Sequence, residues 1–258
     1  MLYKIIETEL DYKMCFCNFS DKGPYYKLED PKLPDMRAHN NIIFKPGTPP
    51  ETLKRVIKEE LNQRRSDGYD FLKIISFDPV PDKALDSLGI KPEVDSYDYM
   101  VIQTASSSFL KYTEKVEVMH ADSDPIYASG RWVDLEANKE MMGEAFTERR
   151  IDRKIEIYKN KNIPLEFYVC YYKGEPAGNC ELYSGNQFAK IEDLDILPPF
   201  QKRGLGTHFL KDLLEKAYQN KIASAYIVTD HFDSAKEMYK KCGFKYEGNV
   251  TELLYNLI

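Results

Sequence analysis

The sequence predicts an α/β chain with helices packed on a sheet, and three observations carry that expectation. Residues 191–218, IEDLDILPPFQKRGLGTHFLKDLLEKAY, read as strand, glycine turn and amphipathic helix. Residues 165–172 and 177–183 alternate as strands around KGEP, a hairpin turn containing Gly174. A strand, loop, short helix, glycine turn and strand occur twice, starting at Phe71 and again at Ile222, each time after a charged amphipathic helix.

In chain order, residues 14–19 and 41–44 are strand-like and flank the Pro-rich loop DPKLPD at 30–35. After KPGTPP, residues 51–65 place Leu53, Val56, Ile57, Glu60 and Leu61 on one helical stripe. A buried strand follows at 71–77, a short helix at 82–88 and a strand at 97–103, and residues 106–111 link to a strand at 116–119. Residues 125–159 are helical in charge pattern, with Ile151, Ile155 and Tyr158 on one face. SGNQ at 184–187 then leads into the strand that ends at Leu194, Asp195 and Ile196. Pro198 and Pro199 cannot continue its ladder. In the helix beyond, Leu205, Phe209, Leu213, Leu214 and Ala217 share a face, while Lys211, Asp212, Glu215 and Lys216 turn to water.

With 43% apolar and 30% charged residues over 258 positions, the chain can bury a real core. A formal charge of −6 argues against a general nucleic-acid binder, which needs clustered Lys and Arg. Cys15, Cys17, Cys170, Cys180 and Cys242 lack zinc-site spacing and read as reduced thiols, with Cys15 and Cys17 on one face of a strand, so no metal is expected. No apolar run is long enough for a membrane span and the first residues are too charged for a signal peptide, which makes cytoplasm the expectation. No G-x-S-x-G setting supports a hydrolase, and His39, His120, His208 and His231 have no evident catalytic partners.

The chemistry concentrates at the glycine turn. The first turn of a helix has N–H groups without intrahelical acceptors and the positive end of the dipole, so it suits an anion. Gly204 and Gly206 allow close approach, and Lys202 and Arg203 add positive charge. Neither the P-loop nor the dinucleotide fingerprint fits, because Phe209 stands where the latter needs glycine.

The pattern present, Q-x-x-G-x-G from Gln201 to Gly206 after Leu194-Asp195-Ile196, resembles the acetyl-CoA-binding motif of the GNAT N-acetyltransferase superfamily. Ala235, Tyr239, Gly243 and Phe244 resemble that family's A-x-x-x-Y-x-x-x-G-F segment. The resemblance covers about residues 115–258 and implies a mixed, mostly antiparallel sheet flanked by helices. It also implies acetyl-CoA as co-substrate and direct acetyl transfer in a ternary complex to a small-molecule or peptide primary amine. The diphosphate would lie on residues 202–207 (Lys202, Arg203, Gly204, Leu205, Gly206 and Thr207), the pantetheine against Leu194, Asp195 and Ile196, with Gln201, Ala235 and Tyr239 completing the cofactor contacts. A non-catalytic acyl-CoA-binding regulator is the alternative. Tandem aminoacyl-tRNA transferases of the same fold fit less well, given the acidic charge and the intact CoA loop.

The repeat extends the resemblance to the N-terminal part, where Gly89 answers to Gly243 and Ile90 to Phe244. Leu85 stands for Tyr239, and the prolines of KPGTPPET remove amides a diphosphate would use. The expectation is a degenerate GNAT-like domain over 1–110 and an acetyltransferase domain over 111–258. An exposed edge strand could pair in a homodimer or be covered by the N-terminal unit.

Transfer to an amine needs a base, an oxyanion donor and an acid for the thiolate. The resemblance makes Glu192 the base, with Asp193 and Asp195 facing the other way on a regular strand and Asp230 in reserve; Tyr239 is the acid and the N–H near Ile196 the oxyanion donor. Phe232 stands where many members have Asn, with Asp233 or Ser234 as substitutes. Tyr127, Arg131, Trp132 and Glu144 could line the acceptor cleft, and Glu144, Glu181 and Asp193 would suit a cationic amine.

Overall fold

The computed structural model describes residues 2–81, 85, 89–232 and 235–257. In chain order its elements are helix α1 (Leu2–Met14), strands β1 (Asn18–Asp21), β2 (Tyr25–Glu29) and β3 (Asn41–Phe44), helix α2 (Pro50–Ser66), and strands β4 (Phe71–Ser76), β5 (Glu93–Gln103) and β6 (Val116–His120). Helices α3 (Asp124–Met142) and α4 (Glu144–Tyr158) follow, then β7 (Leu165–Tyr172), β8 (Glu175–Ser184), β9 (Phe188–Ile196), α5 (Leu205–Gln219), β10 (Ser224–Asp230), α6 (Ala235–Lys241) and β11 (Lys245–Asn256).

Most of this order follows the expected one, with a correction at the start. Of the strand expected over 14–19, residues 14–17 are instead the end of α1 and a turn, so Cys15 and Cys17 share no strand face, and Cys15 donates its thiol to the Asp11 carbonyl at 3.5 Å, while Asn18 and Phe19 open β1. Helix α1 buries Ile5, Thr8, Glu9 and Tyr12 on one face, and the two polar members break the apolar stripe that would have marked it. The helix expected at 82–88 lies outside the described residues apart from Leu85.

Two compact units divide the chain. One comprises Met1–Phe16, Met100–Val228 and Ser234–Glu247, the other Cys17–Tyr99, Thr229–Asp233 and Gly248–Ile258. The division therefore departs from a single cut at 110/111, since α1 joins the C-terminal stretch and most of β11 joins the N-terminal strands.

In the second unit the strand order is β1-β2-β3-β4-β11-β5. Neighbours β1/β2, β2/β3 and β4/β11 are antiparallel and β3/β4 parallel. Parallel neighbours need a crossover, and α2 supplies it, seating Leu53, Val56, Ile57 and Leu61 on Ile42, Phe44, Leu72 and Ile74.

The first unit repeats this plan with the order β10-β9-β8-β7-β6. Here β6/β7, β7/β8 and β8/β9 are antiparallel and β9/β10 parallel. Lys173 and Gly174, both at positive φ, make the tight turn between β7 and β8. Helix α5 is the crossover, packing Leu205, Phe209, Leu213, Leu214 and Ala217 with Ala189, Ile191, Ala225 and Ile227. Tyr239, Cys242 and Phe244 join the same apolar cluster. The opposite face of β8 and β9 receives side chains of α1, α3 and α4. Among the described residues, no helix is long and apolar enough to cross a membrane and no cluster of His, Cys, Asp and Glu could hold a metal ion.

Candidate active site

The turn from β9 to α5 leaves a row of main-chain amides without partners. Pro198–Phe200 form one 3-10 turn, Lys202 takes φ 59° and Gly204, the residue before the helix, takes φ 83°. That left-handed backbone favours glycine, and glycine brings no side chain to cap the helix. Among the described residues no acceptor takes the N–H of Arg203, Gly204, Leu205, Gly206 or Thr207. Gln201 Nε2 donates to the Ile196 carbonyl at 2.8 Å and so ties the turn back to the strand end. Arg203 is exposed, its guanidinium 5.7 Å from the Tyr172 ring centroid. A Cβ on Gly204 would meet Thr113 Oγ1 at 2.7 Å, and one on Gly206 would meet Met238 Sδ at 3.0 Å and Ile196 Cγ1 at 4.0 Å. Gly206 therefore borders the space between the end of β9 and α6.

The corresponding turn of the second unit is built differently. Pro49 and Pro50 begin α2, and the Gly47 N–H already donates to the Asp78 carboxylate at 2.5 Å. A protein carboxylate is bound in that turn, and the prolines offer no donors.

Strand β9 changes partner along its length. Its parallel pairing with β10 runs from Phe188↔Ser224 to Ile191↔Ile227, whereas its antiparallel pairing with β8 continues to Ile196↔Gly178. From Glu192 onward, the β10 side of the strand has no strand partner among the described residues. The Leu197 N–H donates to Ala177 of β8 at 2.9 Å, so strand alternation turns the Ile196 N–H toward the open side.

A bulge in the β8/β9 register, with Asp193 at φ 49°, reverses one sequence expectation. Regular alternation would separate Glu192 from Asp193 and Asp195. Instead all three carboxylates lie on the face of α1, α3 and α4, while Leu194 and Ile196 pack with the α5 cluster. The extra residue resets the alternation, which a period-two reading of LDI cannot foresee.

These carboxylates are not equivalent. Asp193 is paired with Arg150 and with Lys154, the latter at 2.6 Å, and although burial opposes ionisation these cations hold it well below the usual carboxylate range. Arg150 also forks onto Asp134 at 2.9 and 2.8 Å. Glu181 accepts from Lys154, from Tyr12 at 2.8 Å and from Tyr158 at 2.6 Å. Both Glu181 and Asp193 are thus engaged internally, which corrects the expectation that they greet a cationic amine. Glu192 keeps 28% of its side chain accessible. Burial pushes its carboxyl up to about 7 against the pull of Lys190, with Asp193, Glu9 and Glu181 adding to the rise. Asp195 is also pushed up to about 7, by burial and then by the charges of Asp193 and Asp134, while Asn138 donates to it at 3.3 Å. Sequence reasoning did not single out Asp195 as a titrating group, and its signal lies in the fold rather than the motif.

Tyr239 is 7% exposed on α6 and packs in the cluster that holds Leu205, with Leu194, Ile196 and Met238 against it. Ala235 opens that helix, and Thr207 Oγ1 lies 3.8 Å from Cys242 Sγ. Asp230 accepts the Phe232 N–H at 2.7 Å, Phe232 is exposed, and Asp233 and Ser234 lie outside the described residues. Of the expected lining residues, Tyr127 is buried under Lys159, Arg131 is paired with Asp152, and Trp132 and Glu144 are exposed. His208 is a structural residue, its Nδ1 accepting the Thr113 N–H at 2.9 Å.

Residues 132–244 match the acetyltransferase (GNAT) family. Over 252 residues the chain is 27% identical to a Bacillus subtilis (strain 168) protein called uncharacterized N-acetyltransferase CgeE, covering 93% of this chain and 92% of the relative. The solved structure of a GCN5-related N-acetyltransferase from Kribbella flavida is similar with a TM-score of 0.74 at 11% identity, over 98% of this chain and 94% of that one. A tandem GNAT protein from the clavulanic acid biosynthesis pathway is similar with a TM-score of 0.60 at 10% identity, over 94% and 78%. At such identities the two structures speak to the fold alone.

Proposed function

We propose that this chain, whose residues 132–244 match the acetyltransferase (GNAT) family, moves an acetyl group from acetyl-CoA directly to a primary amine while both are bound. The observation that carries this reading is the set of five acceptor-less amides, Arg203 to Thr207, at the start of α5, following the stretch of β9 whose β10 side is open. Oriented amides at a helix start suit a diphosphate, and Lys202 and Arg203 supply charge next to them. Acetyl-CoA when bound supplies an activated thioester.

The residues divide the remaining work. Glu192, with a carboxyl near neutrality and a side chain still partly accessible, takes the proton that an alkylammonium must lose before it can attack. The Ile196 N–H, turned to the open side of β9, donates to a developing oxyanion. Tyr239, in the apolar cluster against which Leu194 and Ile196 pack, gives a proton to the departing thiolate. Gln201 holds the turn against the strand so that amide row and oxyanion donor keep their spacing. The second unit is a degenerate copy without a nucleotide of its own.

Release of CoA from acetyl-CoA in the presence of a panel of primary amines tests the reaction. Absence of release with every amine, despite binding of acetyl-CoA, would favour the regulatory binder instead. Tyr239→Phe is expected to lower kcat by about 10–10²-fold with acetyl-CoA affinity retained, since only the phenolic proton is removed. Wild-type turnover in that variant would remove Tyr239 from the mechanism. Calorimetry should give one acetyl-CoA per chain, because the Gly47 amide already serves Asp78 and the prolines have none to offer. A stoichiometry of two would show that the second unit is no degenerate copy.

A further inference from the structure

Helix α1 reaches the candidate base through a buried cation. Lys190 lies on β9 with 2% of its side chain exposed, and its ammonium donates to both oxygens of Glu9 at 2.8 Å. The same ammonium stands 3.3 Å from Glu192 Oε2. The Tyr12 ring lies 4.1 Å from it, and Tyr226 donates its hydroxyl to Glu9 at 2.9 Å. Two carboxylates, one from α1 and one from β9, thus share a single buried ammonium. A pair kept only for stability would need one carboxylate, and the second sits at the open end of the strand where the amine proton must go.

We propose that the Glu9–Lys190 pair is a positioning device for Glu192. Lys190 divides its ammonium between the two carboxylates, and helix α1 thereby becomes a working part of the transferase site. The inference rests on the reading of Glu192 as base. Lys190 orients Glu192 and favours its charged form, while Glu9 draws the ammonium away and keeps Glu192 basic enough to accept a proton. The other groups facing Glu192 are Asp193 on its own strand, Glu181 on β8, and Tyr12 on α1. Arg150 and Lys154 of α4 act on it at one remove, being paired to Asp193. Lys13 stands 3.6 Å from Glu9 and shares in holding that carboxylate charged.

The test is the titration of Glu192 itself, followed by carbon NMR of the full chain made with carboxyl-labelled glutamate, its signal assigned by loss in Glu192→Gln. Lys190→Met should raise the midpoint by about one pH unit or more, and Glu9→Gln should lower it by a similar amount, because the ammonium then serves Glu192 alone. Lys190→Arg should stay near wild type. A merely structural pair would leave the pH dependence of CoA release in place, whereas a positioning pair moves its acid limb upward in Lys190→Met and downward in Glu9→Gln along with the midpoint. Should Lys190→Met fail to fold, Glu9→Gln, which replaces a carboxylate by an amide of the same shape, still decides the matter. An unmoved midpoint in Glu9→Gln, or an upward one, overturns the proposal. Failure of the base assignment is read separately, from CoA release with the amine panel in Glu192→Gln.

Discussion

Glu192→Gln is expected to lower kcat/KM for acetyl transfer by about 10²–10³-fold at neutral pH and to leave the Kd for acetyl-CoA unchanged. General-base removal typically costs this much, and the amide keeps the shape of the side chain. With its carboxyl near 7, wild-type activity should fall about tenfold per pH unit below that value and level off above it. The same shift has a consequence for stability, and its sign is opposite to that of a salt-bridged acid. A carboxyl raised from 4.5 to about 7 on folding is fully accommodated below 4.5, and stability is lost as pH rises through 7 because the buried site disfavours the charge. Glu192→Gln should therefore equal the wild type near pH 4 and exceed it at pH 8 by on the order of 1–3 kcal/mol. Thermal unfolding at the two pH values measures the difference, and a variant less stable at pH 8 would contradict a destabilising carboxylate.

Gly206→Val should weaken acetyl-CoA binding by about 10²-fold or more, roughly 3 kcal/mol, with little change in Tm. The backbone there has no positive φ to oppose a side chain, and the near neighbour of an added Cβ is Met238 Sδ at 3.0 Å, the flexible end of a methionine. The fold can absorb the substitution, but the branched methyls fill the space between Ile196 and Met238 and crowd the amides of the first turn. Gly204 is a poorer probe. Its φ of 83° and the 2.7 Å approach to Thr113 Oγ1 would tax folding as well as binding. An unchanged Kd in folded Gly206→Val would mean that the diphosphate does not use this turn.

Local chemistry explains which parts of the molecule could be read in advance. The strand, glycine turn and helix over residues 191–218 were legible because glycine spacing, prolines and a helical stripe all fall within that stretch. The hairpin at Lys173 and Gly174 and the crossover plan of both units were legible for the same reason. Helix α1 was hidden because Thr8 and Glu9 stand on its buried face and the polar atoms of Glu9 and Tyr12 find their partners elsewhere. Those partners are remote: Glu9 meets Lys190 of β9, and Tyr12 meets Glu181 of β8. No local pattern announces a pair so far apart in sequence. The facing of Glu192, Asp193 and Asp195 was misread for a smaller reason, one bulged residue opposite β8. Neutralisation of Glu181 and Asp193 by Arg150 and Lys154 likewise becomes visible only when α4 is laid against the sheet.

The placement of β11 bears on how the chain is made. Its residues 251–256 pair with β4, in register from Thr251↔Ser76 to Asn256↔Phe71, so the second unit draws a central strand from residues far downstream of β4. During synthesis β4 leaves the ribosome long before its neighbour exists, and its backbone hydrogen-bonding edge must wait while the intervening residues are translated. Closure of the N-terminal strands thus comes only after residue 256 has been made, and a nascent chain halted before residue 248 would carry that naked edge as a point of self-association or chaperone capture.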